Sequence, residues 1–500
     1  MTFISTAQAE TPLILALDIG TSSIRAMLFD TQARVVSGLE TRQPNDIEVR
    51  LDGAFETDPD ALLEKVWLCI DDVLNGAGTL AGEVRAVCCC TFVSNVMGID
   101  ADGQAVTALV LYGDTRAAQQ ADDLRARLDE EHFHQRTGTR FHSSYLPARF
   151  LWWQQERPDE FARVQRWISI GEYLLLKLFG NAAASYSVAS WTGLLDRVRL
   201  DWDDELLQHL PIRRDRLPAL VDADFAWRGL HKEFAARWPA LTEAAWFPAI
   251  GDGAAANLGS GCATPARVAI SMGTSSAVRT VITDSNKSLP PGLWCYRVDR
   301  QRSLLGGAMT EGGSVFTWLN SILNLDGIGS LETALAKLPP AATGLTFLPL
   351  ISGERSPGWQ SGARGVIVGL SIAHTPLDLL RAGLEGVACR IAQVYELLRP
   401  VLPVEPEIVA SGGAIQGSPA WQQILADALN HPVRLSRVPE TSTRGAVLLA
   451  LEALGIVKDL KELPDLSVVV AEPEPRRHAR YRQMIEQQKD IYRKLIADEV

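Results

Sequence analysis

The chain is predicted to fold as an α/β protein of two similarly built domains with a cleft between them, and three observations point there. Its 500 residues and 54.6 kDa exceed what one compact core accommodates. A strand, a Gly-Thr-Ser-Ser turn and a second strand occur twice, in LILALDIGTSSIRAMLFD (13–30) and RVAISMGTSSAVRTVIT (267–283). Gly20 and Gly273 head the two turns, 253 positions apart, and a matched order of elements follows each. A repeated supersecondary order on this scale reads as a duplicated domain.

In chain order, MTFISTAQAE lacks a basic start and a sustained apolar run, so residues 1–12 read as a loose, flexible extension. The apolar run Leu13–Leu17 and the run Ile24–Phe29 form a hairpin, and ARVVSGLET supplies a third strand. A helix follows over about Asp58–Leu74, capped by Thr57 or Asp58 and opened by Pro59. Its apolar face is Leu62, Leu63, Val66, Ile70 and Val73. VRAVCCCTFV is a buried strand in which Cys88, Cys89 and Cys90 behave as small hydrophobes. MGIDADGQAVTALVLYGD reads as a hairpin on a D-A-D-G turn. The segment from about Asp114 to Ala249 is helix-rich, with Trp152, Trp153, Trp167 and Trp191 expected in its core. The second half repeats the order. Its hairpin is followed by LWCYRVD and SLLGGAM as strands, a helix near Asp378–Leu398 and the strand EIVASGGA. The helix PAWQQILADALN, the strand PVRLS and the helix GAVLLALEALG come next. RRHARYRQMIEQQKDIYRKL closes the chain as an amphipathic helix, with Tyr481, Met484, Ile485, Ile491, Tyr492 and Leu495 apolar, that docks on the chain's own domains.

Composition narrows the function. A net charge of −12 argues against a nucleic-acid surface, which relies on clustered Lys and Arg. No apolar run reaches the roughly 18–20 residues that span a bilayer. Seven cysteines without a C-x-x-C pair suit a reducing cytoplasm. His132, His134 and His142 suit a helix end and loop better than a metal site.

Four segments carry the chemistry. Asp18 stands at the entrance of the first turn, where Gly20, Thr21, Ser22 and Ser23 offer backbone N–H groups and hydroxyls to an anion and Arg25 adds a fixed charge. A carboxylate beside such a nest suits Mg²⁺, which takes few carboxylates plus substrate phosphates. Gly273, Thr274 and Ser275 bracket phosphates from the other side. Asp252 lies between two glycines, after an apolar strand and before an Ala-rich helix. It can accept a proton from a substrate hydroxyl or cap that helix, and the sequence leaves both readings open. Val409-Ala-Ser-Gly-Gly-Ala414 ends a strand in glycines flat enough to pack on a nucleoside.

Together, these segments resemble the FGGY carbohydrate kinases, within the actin and hexokinase superfamily of ribonuclease H-like folds. The resemblance runs from about Leu13 to Leu454. Val110-Leu-Tyr-Gly-Asp-Thr-Arg116 resembles the family's W-N-D-x-R segment, and Phe347–Pro357 with Ala363-Arg-Gly365 resembles its F-L-P-Y-L-x-G-E-R-x-P segment. Leu384-Glu-Gly-Val387 and Ser411-Gly-Gly413 resemble the rest of its C-terminal signature. The resemblance implies two ribonuclease H-like domains, a sugar-binding one over 13–247 and an ATP-binding one over 248–500. It implies ATP-dependent phosphorylation of a small sugar, sugar acid or polyol, with Asp252 as general base and Asp18 organising Mg²⁺. The phosphates fall to Gly20, Thr21, Ser22, Ser23, Arg25, Gly273, Thr274 and Ser275. The adenosine falls to Gly412, Gly413, Ala414 and Gln416. Ser94, Asn95, His142 and Ser143 join Asp252 around the acceptor. Dimers are common among members, so a homodimer is one assembly the resemblance allows.

MGTSSAVRTV, LLGGAMTEGGSVFTWL and FLPLISGERSP most resemble gluconate kinases, then xylulose kinases. Three departures bear on that choice: Val93-Ser94 where a Met-His pair is usual, Thr310-Glu311 where gluconate kinases have paired asparagines, and Ser185 where an acid is usual. Pointing inward, Glu311 would repel a carboxylate substrate; facing solvent or paired with an arginine, it would not. The rival readings are a pentulose or polyol kinase, a sugar-sensing pseudokinase, and an actin-like or chaperone-like ATPase. Retention of Asp18 and Asp252 argues against a dead kinase.

Overall fold

The computed structural model describes residues 3–284, 287–460 and 464–496. Its first sheet has six strands: β1 Phe3–Ile4, β2 Leu13–Ile19, β3 Ser23–Phe29, β4 Val35–Pro44, β5 Val84–Thr91 and β6 Ala245–Gly251, in the order β1-β4-β3-β2-β5-β6. The β2–β3 and β3–β4 pairs are antiparallel, while β5 and β6 add in parallel on the far side of β2. Leu13–Leu17 are fully buried, as a central strand covered on both faces requires. Cys88, Cys89 and Cys90 lie on β5 as buried free thiols.

The second sheet contains β7 Arg267–Met272, β8 Ser276–Ile282, β9 Trp294–Arg297, β10 Ser303–Met309, β11 Glu407–Ser411, β12 Val433–Ser436 and β13 Ser467–Ala471. Its order is β9-β10-β8-β7-β11-β12-β13. Within it, β10-β8-β7-β11-β12 repeats β4-β3-β2-β5-β6 strand for strand, so the duplication expected from the two Gly-Thr-Ser-Ser turns is present in the fold.

Helix α1, Pro59–Ala77, starts where the Asp58 carboxylate accepts from the Asp60 and Ala61 N–H groups at 2.9 and 3.0 Å. Its expected apolar face is buried. Helix α2, Asp252–Gly259, crosses helix α3, Thr441–Ala453, and the crossing depends on two glycines. A Cβ on Gly259 would sit 1.8 Å from the Thr441 carbonyl oxygen, and one on Gly445 would sit 1.8 Å from that of Ala255. The C-terminal helix α4, Pro475–Leu495, buries Tyr481, Met484 and Ile485 against the second domain, as its amphipathic pattern predicts. It also buries Gln488, whose amide donates to the Phe347 and Gly386 carbonyls, whereas Leu495 stays exposed.

Three local expectations change. Residues 3–8 of the expected loose extension form β1, paired in parallel with β4, and a short 3₁₀ turn, because the open edge of β4 offers unpaired backbone groups. The D-A-D-G turn forms on Asp100, but Met97–Ile99 pairs with Arg166–Ile168 and Leu109–Val110 pairs with Phe55–Thr57. Only the Val96–Val110 and Ile99–Ala105 bridges of the expected hairpin remain. The boundary expected after residue 247 falls inside β6, a strand of the first sheet, so the two sheets meet at Gly251–Asp252.

The helical insert of the first domain covers the open edge of the second sheet. The Cys295 N–H donates to the Gly138 carbonyl, the Arg297 N–H donates to Ser190 Oγ, and Trp191 stacks on Tyr296 with centroids 3.5 Å apart. A third apolar cluster built from both halves lies behind this seam, including Ile14, Ala16, Trp191, Trp294, Tyr296 and Val447.

Candidate active site

Asp252 stands where the two sheets meet, at the first residue of α2. Two serines of the insert hold the strand that delivers it, and a third braces the second. Ser185 Oγ donates to the Ala249 carbonyl, Ser187 Oγ accepts from the Gly251 N–H, and Ser190 Oγ donates to the Ser187 carbonyl. Ser185 therefore acts here as a buttress, in the place where an acid is usual. One Asp252 oxygen accepts from the Gly253 N–H at 2.6 Å. Burial and the facing Asp18 carboxylate push the Asp252 pKa up to about 6, against the pull of the Arg279 guanidinium. Burial also raises the pKa of Asp18, opposed by Arg25, which lies across the β2–β3 ladder, and by the Cys90 thiol.

The first turn is pinned by Asn45, whose amide donates to the Gly20 carbonyl and whose N–H donates to the Ser22 carbonyl. Thr21 is half-buried and Ser22 exposed at the turn's tip. Ser23 is buried below it, where its Oγ accepts from Arg25 Nε. Arg25 pairs with Glu440 at 2.6 Å, joining the first sheet to the start of α3. In the second domain, Gly273, Thr274 and Ser275 are exposed. The Gly313 and Ser314 N–H groups support that turn by donating to the Gly273 and Thr274 carbonyls at 2.7 and 3.0 Å. Gly412 has φ +103°, and a Cβ there would lie 2.4 Å from the Met272 carbonyl oxygen, so only glycine fits. A Cβ on Gly313 would meet Ala414, so the 273–275, 312–314 and 412–414 loops form one floor. Gln416 is exposed at its edge.

Ser94 and Asn95 shape the pocket through bonds to the protein itself. Ser94 Oγ donates to the Trp191 carbonyl, while Asn95 bridges the Phe92 carbonyl and the Ile170 N–H. The fully buried Arg149 clamps the carbonyls of Ser94, Leu111 and Ser143 at 2.6, 2.6 and 3.0 Å. Ser143 thus contributes its carbonyl to this clamp. His142 Nδ1 accepts from the Ser144 N–H, and burial among Arg355, Arg125 and Arg149 pulls the imidazole pKa down to about 3. The neutral ring must then carry its proton on Nε2 and act as a donor. His132 and His134 bind Glu205 and the Leu293 carbonyl instead.

Several residues at the site gave no clear signal in the sequence. Trp191 flanks Asp252: a Cβ on Gly251 would meet its indole nitrogen at 2.8 Å, and one on Gly253 would meet its ring at 3.3 Å. It is therefore a wall of the site as well as core. The Trp191 Nε1 has no hydrogen-bond partner among the described residues, and neither has Nε of Arg279 or of Arg355. Arg279 lies against Asp252, and Arg355 lies by Tyr145, whose hydroxyl meets that of Tyr296 at 2.5 Å. The available signal was Arg279 itself, an arginine inside the strand SAVRTVI, because a charged residue amid a run of strand-forming residues asks for a partner. Glu311 is buried and faces Arg390 at 3.4 Å, while Thr310 donates to it at 2.8 Å, so it is paired with an arginine.

The N-terminal domain model of the FGGY family of carbohydrate kinases matches residues 13–259, and the C-terminal domain model matches residues 268–454. The gluconokinase of Bacillus subtilis (strain 168) is 26% identical over 473 residues, covering 91% of this chain and 90% of that protein. The xylulose kinase of Escherichia coli (strain K12) is 27% identical over 499 residues, covering 97% and 99%. The crystal structure of gluconate kinase from Lactobacillus acidophilus superposes with a TM-score of 0.89 at 26% identity, covering 97% of this chain and 98% of that one.

Proposed function

The chain belongs to the FGGY family of carbohydrate kinases and is a phosphotransferase with a hydroxyl acceptor, and from that premise we propose that it transfers the γ-phosphate of ATP to a sugar acid, gluconate being favoured. The observation that carries this reading is the placement of Asp252, a half-buried carboxylate with a raised pKa between Asp18 and Arg279. A carboxylate that titrates near 6 is ionised at neutral pH yet basic enough to take a proton from an attacking hydroxyl as the new P–O bond forms. With little covalent work left to the protein, phosphoryl transfer depends on alignment and charge.

In this reading Thr21, Ser22, Gly273, Thr274 and Ser275 hold the phosphates through hydroxyls and turn N–H groups. Gly412, Gly413 and Ala414 receive the nucleoside, with Gln416 at the rim. Arg25 and Ser23 act through the turn, since each is engaged below it. Asp18 suits Mg²⁺, directly or through water, because it is a carboxylate at a strand end beside a phosphate-sized turn, and Mg²⁺ takes few carboxylates plus phosphate oxygens. When bound, Mg²⁺ neutralises charge building on the phosphates. The His142 Nε2–H and the Trp191 Nε1–H donate to acceptor hydroxyls.

The Glu311–Arg390 pair favours a sugar acid, because it removes the repulsion that a free Glu311 carboxylate would exert. Xylulose is the second reading, supported by the match to a xylulose kinase along nearly the whole chain. The test is ADP release from Mg-ATP with gluconate, xylulose, ribulose, erythritol and glycerol, beside Asp252→Ala. Turnover with gluconate foremost and a loss of at least about 10²-fold in the variant is expected. Unchanged turnover in the variant would refute the base assignment, and ATP binding without any acceptor-stimulated turnover would favour a sensor.

A further inference from the structure

The last turns of α4 reach a loop that faces the active site. The helix lies along the long helix Pro376–Leu398, where the Tyr481 hydroxyl donates to Glu385 at 3.0 Å and Gln488 donates to the Gly386 carbonyl. One turn beyond Gln488, the half-buried Tyr492 donates its hydroxyl to Glu354 at 2.6 Å. Glu354 is buried in the loop after Leu348 and directly precedes Arg355. It has to share its cation. Arg390, buried on the long helix, faces both Glu354 and Glu311, so two carboxylates draw on one guanidinium. Neutral donors offset the excess negative charge: the Thr310 hydroxyl serves Glu311 at 2.8 Å, and the Tyr492 hydroxyl serves Glu354. Among the described residues, the Glu354 oxygen that Tyr492 reaches has one other donor, the Gln360 N–H at 3.3 Å. Burial and the Glu354 charge push the Tyr492 phenol pKa up, so the group remains a donor. Removing a donor from a buried carboxylate is costly, which gives this hydrogen bond its weight.

The loop is shaped to admit the contact. A Cβ on Gly358 would lie 1.9 Å from the Tyr492 hydroxyl and 2.4 Å from the Glu354 carboxylate, so a larger residue there would push the two apart. The Tyr492 ring also covers the Arg390 guanidinium, 5.5 Å from its centroid. The same loop carries two groups to the acceptor side of the cleft. Arg355, half-buried, stands beside Tyr145 and Tyr112. Trp359 meets the His142 ring edge-on with centroids 6.0 Å apart. A loop whose buried carboxylate loses a donor has less to hold it in this one arrangement, and Arg355 and Trp359 move with it.

We propose that Tyr492 is a positioning residue for the phosphoryl acceptor: its hydrogen bond to Glu354 seats the 354–359 loop, and with it Arg355 and Trp359, against the acceptor pocket. The C-terminal helix is then a working part of the site as well as a cover on the second domain. This rests on the kinase reading and on His142 lining the acceptor pocket.

The experiment measures KM for the acceptor, KM for ATP and melting temperature in the full chain, using whichever of gluconate, xylulose, ribulose, erythritol and glycerol wild type turns over fastest. Tyr492→Phe keeps the ring over Arg390 and removes the donor. Tyr481→Phe is its matched control: it takes a hydroxyl of the same helix from another buried Arg–Glu pair, Arg381–Glu385, away from the loop. Losing a hydrogen bond to a buried charge shifts an equilibrium by roughly 10–150-fold, and apparent affinity scales with the fraction of molecules whose loop is seated. Tyr492→Phe should therefore raise the acceptor KM by about tenfold and leave the KM for ATP unchanged. Tyr481→Phe should lower the melting temperature and leave both KM values at wild type. In Glu354→Gln, which has no carboxylate charge for Tyr492 to serve, adding Tyr492→Phe should raise the acceptor KM little further. If Glu354→Gln fails to fold, the two phenylalanine variants decide. A wild-type acceptor KM in Tyr492→Phe, whatever its melting temperature, would make the helix a cover only and overturn the proposal. So would an equal rise in Tyr481→Phe, a rise in the KM for ATP, or effects of Tyr492→Phe and Glu354→Gln that simply multiply. Each of these leaves the kinase reading standing, whereas a wild type that turns over no acceptor would remove both.

Discussion

Replacing Asp252 by asparagine should abolish catalysis and stabilise the fold, and the size of that gain follows from one shifted titration. Burial first, and Asp18 second, raise the Asp252 pKa from 3.8 to about 6. Between these values the folded protein holds a proton that the unfolded chain has released, so stability falls as pH rises from about 4 to 6 and stays low above it. A shift of about 2 units at 1.36 kcal/mol each makes ionised Asp252 cost about 3 kcal/mol at pH 8. Linkage halves this to about 1.6 kcal/mol at pH 5. Asparagine keeps an oxygen for the Gly253 N–H and has no charge, so Asp252→Asn should be about 3 kcal/mol more stable at pH 8 and about half that at pH 5. In thermal melts this amounts to about 3–6 °C at pH 8, depending on whether the chain unfolds as one unit or as two halves. The measurement is the melting temperature of both proteins from pH 5 to 8, without nucleotide, beside ADP release. An asparagine variant no more stable than wild type at pH 8, or a difference that does not shrink toward pH 5, would refute the electrostatic account.

Further outcomes follow from the same geometry. With Asp252 required as its carboxylate, kcat/KM should fall on the acid side with an apparent pKa near 6, and a flat profile down to pH 5 would exclude Asp252 as the base. Arg149→Met leaves the carbonyls of Ser94, Leu111 and Ser143 without their donor and should cost about 3–5 kcal/mol in urea denaturation; a loss under about 1 kcal/mol would mean the clamp is replaced by water. Gly445→Ala drives a methyl toward the Ala255 carbonyl and forces α2 and α3 apart, costing about 1–3 kcal/mol and displacing Asp252. Its kcat should drop with the melting temperature, and normal kcat would show that the helix crossing does not set the base's position. Arg25→Ala breaks an ion pair in which both partners are about a quarter exposed, so it should change stability by less than about 1 kcal/mol, as read from the urea midpoint.

What is local or periodic in this protein was legible in its amino-acid order. Apolar runs beside two Gly-Thr-Ser-Ser turns specified both hairpins, because a strand buried on two faces and a turn of small residues leave few other arrangements. Asp58 before Pro59 specified the start of α1, and the apolar spacing specified the first half of the docked face of α4, Tyr481, Met484 and Ile485, while Ile491 and Tyr492 are only half-buried and Leu495 is exposed. The duplicated strand order was legible for the same reason, since order along the chain is itself sequence. Which distant groups meet became visible only in the folded chain. Gln488 is polar in any reading of the pattern, yet two carbonyls of another segment draw it into the core. Ser94 and Asn95 look like binding residues in a sequence, but their partners are the Trp191 and Phe92 carbonyls and the Ile170 N–H. Glu311 has no fixed meaning until Arg390, on a helix 79 positions later, faces it. Arg279 is an ordinary arginine until folding brings it against Asp252. Electrostatics acts through space over a few ångströms, and the chain order of this protein carries no record of those distances.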